Sequence, residues 1–507
     1  MGRRIRWLGL VMVCSFALVI VQLVNIQFRR APALASSPFN PRVAELRFDN
    51  MRGVITASDG SVLAKSVKAP SGTYHYMRVY PQGPLFAGVT GFSDSFYGTP
   101  GGIEYQYNQY LESHPQSPQN LSQLIFAKPP SEPDNITLTL DPVLQKAAMT
   151  ALTTLPPSAN KDGAVVVLNP TTGAVLAMVS NPTFDPNVLA STDVATQQSA
   201  HYQYSLPDRP EGFKPLQPIA TEERFPPGST FKVVTSTAAY NLKPSLADYS
   251  FPPAVSISFP DSNKTLSNDG LSACGGPMIV MLPESCDPGY AELGVKLGAA
   301  TMTKQAQLFG FSIFGTPNQT VPNLDLPGVV PSTFTELPTS GQALLAYSSI
   351  GQENDTATAL QNALVVAGIA NGGVIMTPHL MEQIRDSQGN LVASYQPTPM
   401  LRTATQAAAA SVDALMLGVA THGTAAGVGF PNSWNVAVKT GTAQVQAPTG
   451  PEQTDDWMIG FMPGKGTPKV AIAVVVPYQS FSVTGAEVAG PIVKAVLQAY
   501  VNEAGTP

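Results

Sequence analysis

The sequence is poor in charge. Lys, Arg, Asp and Glu make up 12% of its 507 residues, roughly half the usual share. Net charge is −6, and no basic stretch is dense enough for a nucleic-acid interface. Cysteine is scarce as well. Cys14, Cys274 and Cys286 form no C-x-x-C pair, which excludes a zinc ribbon. His75, His114, His201, His379 and His422 are scattered, and no H-E-x-x-H occurs. That argues against a metal-dependent hydrolase, and no metal or cofactor is expected. A repeat of solenoid or propeller period is also missing.

Apolar side chains, by contrast, make up 44% of the chain, enough for large cores. The length suggests two or three domains. The 47 prolines and 42 glycines are spread along the chain, as in a globular protein rich in turns.

One apolar run is long. Arg3, Arg4 and Arg6 precede an uncharged stretch from Trp7 to Phe28. It is long enough to cross a membrane as a helix, and the arginines favour a cytoplasmic N-terminus. Ala33-Leu34-Ala35 matches a signal-peptidase pattern. The apolar run, however, exceeds the roughly 7–15 residues of a signal core, and Arg29 and Arg30 separate it from that site. An uncleaved, single-pass anchor is the better reading, with the bulk of the chain outside the cytoplasm.

A small, Pro-rich linker over 31–41 follows. Between about Val43 and Glu132, short apolar runs alternate with turns. Asp59-Gly60, set between apolar runs, is a hairpin signal. Pro129, Pro130 and Pro133 mark a boundary. The division expected is an anchor over 1–30, a β-rich pedestal over 31–135 and a larger domain over 136–507. In the last, Ile136–Leu140 reads as a strand, and Asp141-Pro142 as a helix start with an N-cap. Ala164–Leu168 and Ala174–Val179 flank Asn169–Gly173 as a hairpin. Val470–Val476 is a late β-branched strand, and Ile492–Tyr500 a closing helix. Strands at both ends of a helical middle give an α+β domain whose first hairpin pairs with its last strands.

Three short motifs carry chemistry. Pro227-Gly228-Ser229-Thr230-Phe231-Lys232 puts a lysine one helical turn from a serine. A serine hydroxyl needs such a base to act as a nucleophile, and the helix start offers N–H groups for developing negative charge. Alone, S-x-x-K is as well read as a solvated Ser and Lys. Lys439-Thr440-Gly441-Thr442 follows an apolar strand start. It suits the wall of a cleft that takes an extended peptide by strand addition and holds its carboxylate; its bland reading is a turn. Ser285-Cys286-Asp287 lies between the two, as a proton relay or an ordinary polar loop. The ordered set is far more specific than any member, and is the one found in serine β-lactamases and penicillin-binding proteins.

On these residues the chain resembles the class B penicillin-binding proteins, closest to the short actinobacterial-type members. Ala443-Gln444 after the lysine strand, Ser348–Gln352, Ala370–Gly373 and the N-terminal Arg52–Ile55 with Asp59-Gly60 extend the resemblance over nearly the whole chain. No glycosyltransferase domain fits before Asp141. The resemblance implies a peptidoglycan D,D-transpeptidase: an antiparallel sheet flanked by helices, of the penicillin-binding and serine β-lactamase type, after a dimerisation-type pedestal. It implies Ser229 as the nucleophile on D-alanyl-D-alanine stems, Lys232 as base and Ser285 as relay. Asp287, Lys439, Thr440, Gly441 and Thr442 would form the substrate wall, with Ser229 and Thr442 N–H groups as oxyanion hole. β-Lactams would acylate Ser229, and a glycan polymerase of the division or elongation machinery would be a partner.

One position departs from the family. Asp287 stands where Asn is usual. An ionised carboxylate only accepts hydrogen bonds, and its charge should raise the Lys232 pKa and weaken that base. Cys274 and Cys286 close a short loop in an oxidising compartment and are expected to form a disulfide. Rival readings are a D,D-carboxypeptidase, a serine β-lactamase-like hydrolase and a low-activity scaffold of the division or elongation machinery.

Overall fold

The computed structural model describes residues 2–26, 49–70, 74–113, 132–158, 160–207, 212–317, 319, 321–338, 341–446 and 452–505. The 31–41 linker, Ala33-Leu34-Ala35, Pro129 and Pro130 lie outside them. Helix α1 (Gly2–Val24) buries none of its side chains and is long and apolar enough to cross a membrane.

The sheet of the expected pedestal is built on β1 (Ile55–Thr56), β2 (Val62–Lys68), β3 (Tyr76–Val79) and β4 (Asn135–Leu138), the last crossing the boundary expected at 135. The β1–β2 turn is the Asp59-Gly60 hairpin, with Gly60 at φ 85°, a left-handed conformation glycine adopts without strain. Strand β4 runs parallel to β1 and antiparallel to a strand at Met381–Arg385. Leu391–Ser394 then closes a six-stranded sheet. One sheet thus joins residues separated by more than half the chain. Beneath it, Arg52 and Arg78 each place Nε 2.6 Å from the Glu104 carboxylate, all three being buried. Burial pushes the Glu104 carboxyl up, and the two guanidiniums more than reverse this, leaving it below its usual range. The pedestal is hydrogen-bonded to the rest of the chain. Tyr80 exchanges two backbone bonds with the Asn187 amide, and Tyr107 donates to Asp325 at 2.7 Å.

In the larger domain, α2 (Pro142–Thr154) starts on Asp141, whose carboxylate accepts from the Val143 and Leu144 N–H groups. The hairpin β5 (Gly163–Leu168) and β6 (Val175–Asn181) follows. Next come α3 (Lys232–Leu242), α4 (Asp287–Leu297), α5 (Ala359–Ala370) and α6 (Gln406–Thr421). The chain returns through β7 (Ala437–Gln446), β8 (Glu452–Met462), β9 (Val470–Ser480) and α7 (Gly485–Ala504). The sheet order is β7-β8-β9-β5-β6, antiparallel throughout. Its first hairpin does pair with its last strands. Helices α2 and α7 pack together on one face and α5 on the other. Val470–Val476 is wholly buried in consequence, which is why it reads as a continuous apolar run. Strand β7 is left at the edge, beside the N-terminal end of α3.

Candidate active site

The nucleophile segment is a single 3₁₀ turn, Gly228–Phe231, running straight into α3. Gly228 takes φ 52°, and its N–H donates to the Gly351 carbonyl at 2.9 Å. A β-carbon on Gly351 would stand 2.3 Å from the Gly228 carbonyl oxygen. The Ser348–Gln352 stretch is therefore the floor under the serine turn. On β7, a β-carbon on Gly441 would meet Thr230 Cγ2 at 2.9 Å and the Pro227 carbonyl oxygen at 3.1 Å. Glycine is needed there because the serine turn presses on the strand. The Trp457 indole N–H donates to Pro226 at 2.9 Å and fixes the turn from behind.

Lys232 lies one turn along from Ser229 and is fully buried. Its Nζ is 2.9 Å from Ser229 Oγ, 2.7 Å from the Ser285 carbonyl oxygen, 3.2 Å from Ser285 Oγ and 2.6 Å from Asp287 Oδ1. Four oxygens surround a group with three protons. The Tyr290 ring lies 5.7 Å from the same nitrogen.

Ser285 reaches the lysine because its backbone is left-handed, at φ 56°. Such a conformation is strained for a residue with a β-carbon, and here it turns the Ser285 carbonyl onto Lys232. Its neighbours hold it in place. Cys286 is disulfide-bonded to Cys274, whose strand, Cys274–Pro277, pairs with Ser250–Ala254. The Asp287 N–H donates to Asn268 Oδ1 at 3.1 Å.

Ser285 Oγ also accepts from Lys439 Nζ at 2.9 Å. Lys439 is wholly buried and donates to the Thr440 carbonyl at 2.9 Å as well. Burial, and then the Lys232 charge, hold its pKa well below the usual lysine range, with Asp287 opposing. Thr440 and Thr442 lie on the α7 side of β7. Thr442 Oγ1 accepts from the Gly485 N–H at 3.0 Å, so its own proton stays free. The Thr440 hydroxyl meets that of Thr424 at 2.7 Å.

All the expected residues therefore converge. Ser229, Lys232, Ser285, Asp287 and Lys439 form one hydrogen-bonded chain, with Thr440, Gly441 and Thr442 along its wall. Gly351 is visible in sequence within Ser348–Gln352. Thr424 and Asn268 carried no signal, being single polar residues in loops.

Comparison with known proteins bears on this arrangement. Residues 163–498 match the penicillin binding protein transpeptidase domain, and 52–131 match the penicillin binding protein A dimerisation domain. The chain belongs to the class B penicillin-binding proteins. It is 35% identical to peptidoglycan D,D-transpeptidase PbpA of Mycolicibacterium smegmatis over 97% of this chain and 98% of that one. It is 33% identical to the Mycobacterium tuberculosis protein of the same name, with the same coverage. The fold matches penicillin-binding protein A from M. tuberculosis, solved as a ceftriaxone acyl-enzyme. That comparison has a TM-score of 0.77 and 31% identity, and covers 89% of this chain and 99% of that one. A penicillin G acyl-enzyme of the same protein matches with a TM-score of 0.75 and 32% identity, over 89% and 100% of the two chains. In this class B protein the serine motif, the Ser285 loop and the lysine strand all fall inside the matched transpeptidase domain.

Proposed function

We propose that this class B protein cross-links peptidoglycan stem peptides through an acyl-enzyme on Ser229. The chain is a serine-type D,D-transpeptidase, and one contact carries the assignment of its nucleophile: Lys232 Nζ lies 2.9 Å from Ser229 Oγ, within reach for proton abstraction.

Lys232, as the free amine, takes the Ser229 proton while Oγ attacks the carbonyl of the penultimate D-Ala. The Ser229 and Thr442 N–H groups receive the developing oxyanion, commonly a contribution of a few kcal/mol. The Ser285 hydroxyl stands between the two lysines and hands a proton to the departing D-Ala nitrogen, taking one back from Lys232. The acyl-enzyme then yields its acyl group to the amine of a second stem. Thr440 and Thr442 donate hydroxyl protons to the donor carboxylate. Lys439, buried beneath them, adds positive potential and holds Ser285. A β-lactam enters as the donor does and stops at the acyl stage.

The anchor spans the membrane once with its N-terminus inside, so the N-terminal pedestal, whose sheet also takes in β4 and the strands at 381–394, lifts the transpeptidase domain toward the wall. A membrane-embedded glycan polymerase would dock beside it and supply the strands. Asp287 beside Lys232 supports a second reading, a slow enzyme retained as a scaffold. Labelling membranes bearing the full chain with a fluorescent penicillin tests the main reading. Labelling should appear with the wild type and vanish with Ser229→Ala; an unlabelled wild type rejects it.

A further inference from the structure

Thr424 lies in the turn after α6, outside the three motifs, yet it touches the lysine strand and the loop that leads into Ser285. Its N–H donates to the Pro283 carbonyl at 2.9 Å, two residues before Ser285. Its hydroxyl meets that of Thr440 at 2.7 Å. The turn is built for this contact. A β-carbon on Gly423 would stand 2.4 Å from the Pro283 carbonyl oxygen, and one on Gly418 2.8 Å from Pro283 Cγ. Small residues let the turn close on the Ser285 loop. Thr424 itself is exposed, and it lines the end of a groove of about 780 Å³ that runs along α7 past Thr484 and Glu487.

One direction of that pairing frees the Thr440 proton. A threonine hydroxyl has one proton and two lone pairs. Lys439 Nζ approaches Thr440 Oγ1 at 3.4 Å and, as an ammonium, donates only. If Thr424 donates as well, both lone pairs of Thr440 are taken, and its single proton is left for an incoming anion. Remove the Thr424 hydroxyl and the Thr440 rotor loses that constraint.

We propose that Thr424 is a positioning residue for recognition of the donor carboxylate, orienting the Thr440 hydroxyl while tying the Ser285 loop to the lysine strand. The proposal rests on the reading that Thr440 receives that carboxylate. Its consequence is selective: losing the Thr424 hydroxyl weakens acylation by carboxylate-bearing donors more than acylation by donors without that charge.

The test compares acylation of the full chain by penicillin G and by its methyl ester. Thr424→Val and Thr424→Ala should each lower the acid-over-ester rate ratio about tenfold, the size of one hydrogen bond to a charged group. Thr424→Ser should keep the wild-type ratio. A ratio unchanged in Thr424→Val and Thr424→Ala, or lowered equally in Thr424→Ser, overturns the proposal and leaves the transpeptidase reading intact. A wild type that penicillin G does not acylate overturns both.

Discussion

Lys232 Nζ lies 2.6 Å from Asp287 Oδ1, closer than its 2.9 Å to Ser229 Oγ. The base and a carboxylate therefore share one close contact. The carboxylate favours the ammonium form of Lys232, and an ammonium cannot take the serine proton. Asp287→Asn removes the charge and keeps the shape. It should speed penicillin acylation several-fold near neutral pH and move the rising limb of the pH–rate profile to lower pH, because the charge beside Lys232 is gone. Stopped-flow acylation across the neutral range reads both. An unmoved limb would mean that Asp287 does not hold the lysine's proton.

The Cys274–Cys286 bridge closes a loop with a sequence separation of 12. A loop of that size stabilises by about 3 kcal/mol. The bridge also braces the left-handed Ser285. Cys274→Ser with Cys286→Ser should lose about that much stability in denaturant titrations, and should slow acylation beyond what unfolding explains. Equal acylation per folded molecule would restrict the disulfide to stability.

Local chemistry made much of this legible in advance. Asp141-Pro142 announced a helix, Asn169–Gly173 a hairpin and Val470–Val476 a buried strand, because each signal sits within a few residues of its effect. Helix α7 shows how such a signal is lost. The apolar run expected to form it spans Ile492–Tyr500, while the helix carries Pro491 inside it. It starts instead on the capping box of Thr484 and Glu487, a local T-x-x-E pattern. The strands at 381–394 that complete the pedestal sheet carry no mark of their distant partners, since pairing across such separations has no local signature. The site divides likewise. Ser229, Lys232 and Lys439 stood out by motif, whereas Thr424 and Asn268 act by where the fold brings them.

Glu104 holds Arg52 and Arg78 inside the pedestal. Removing one partner of a buried ionic cluster strands the others and costs about 3–5 kcal/mol. Glu104→Gln should lose stability on that scale in denaturant titrations of the full chain in detergent. Acylation per folded molecule should not change, since Glu104 lies in the pedestal and Ser229 does not. A loss under about 1 kcal/mol would mean that water or backbone groups satisfy the guanidiniums unaided.

Asp456 lies on β8 directly across from Thr442 and is fully buried. Burial, and then the adjoining Asp455, push its pKa up to about 8, and burial lifts Asp455 to about 7. The folded chain therefore keeps protons that the unfolded chain releases above about pH 4. Where the native state binds more protons, stability falls as pH rises. The loss should run from about pH 4 up to the folded pKa values and level off beyond them. Asp456→Asn removes one such proton and should flatten the fall by up to about 1.4 kcal/mol per pH unit. Denaturant titrations of both proteins at pH 5 and pH 8 measure the difference. Equal falls would show that Asp456 is already ionised in the folded chain. In that case a negative charge stands across the strand pair from the threonine proposed to receive a carboxylate, and the wall of the site must be less positive than its two lysines suggest.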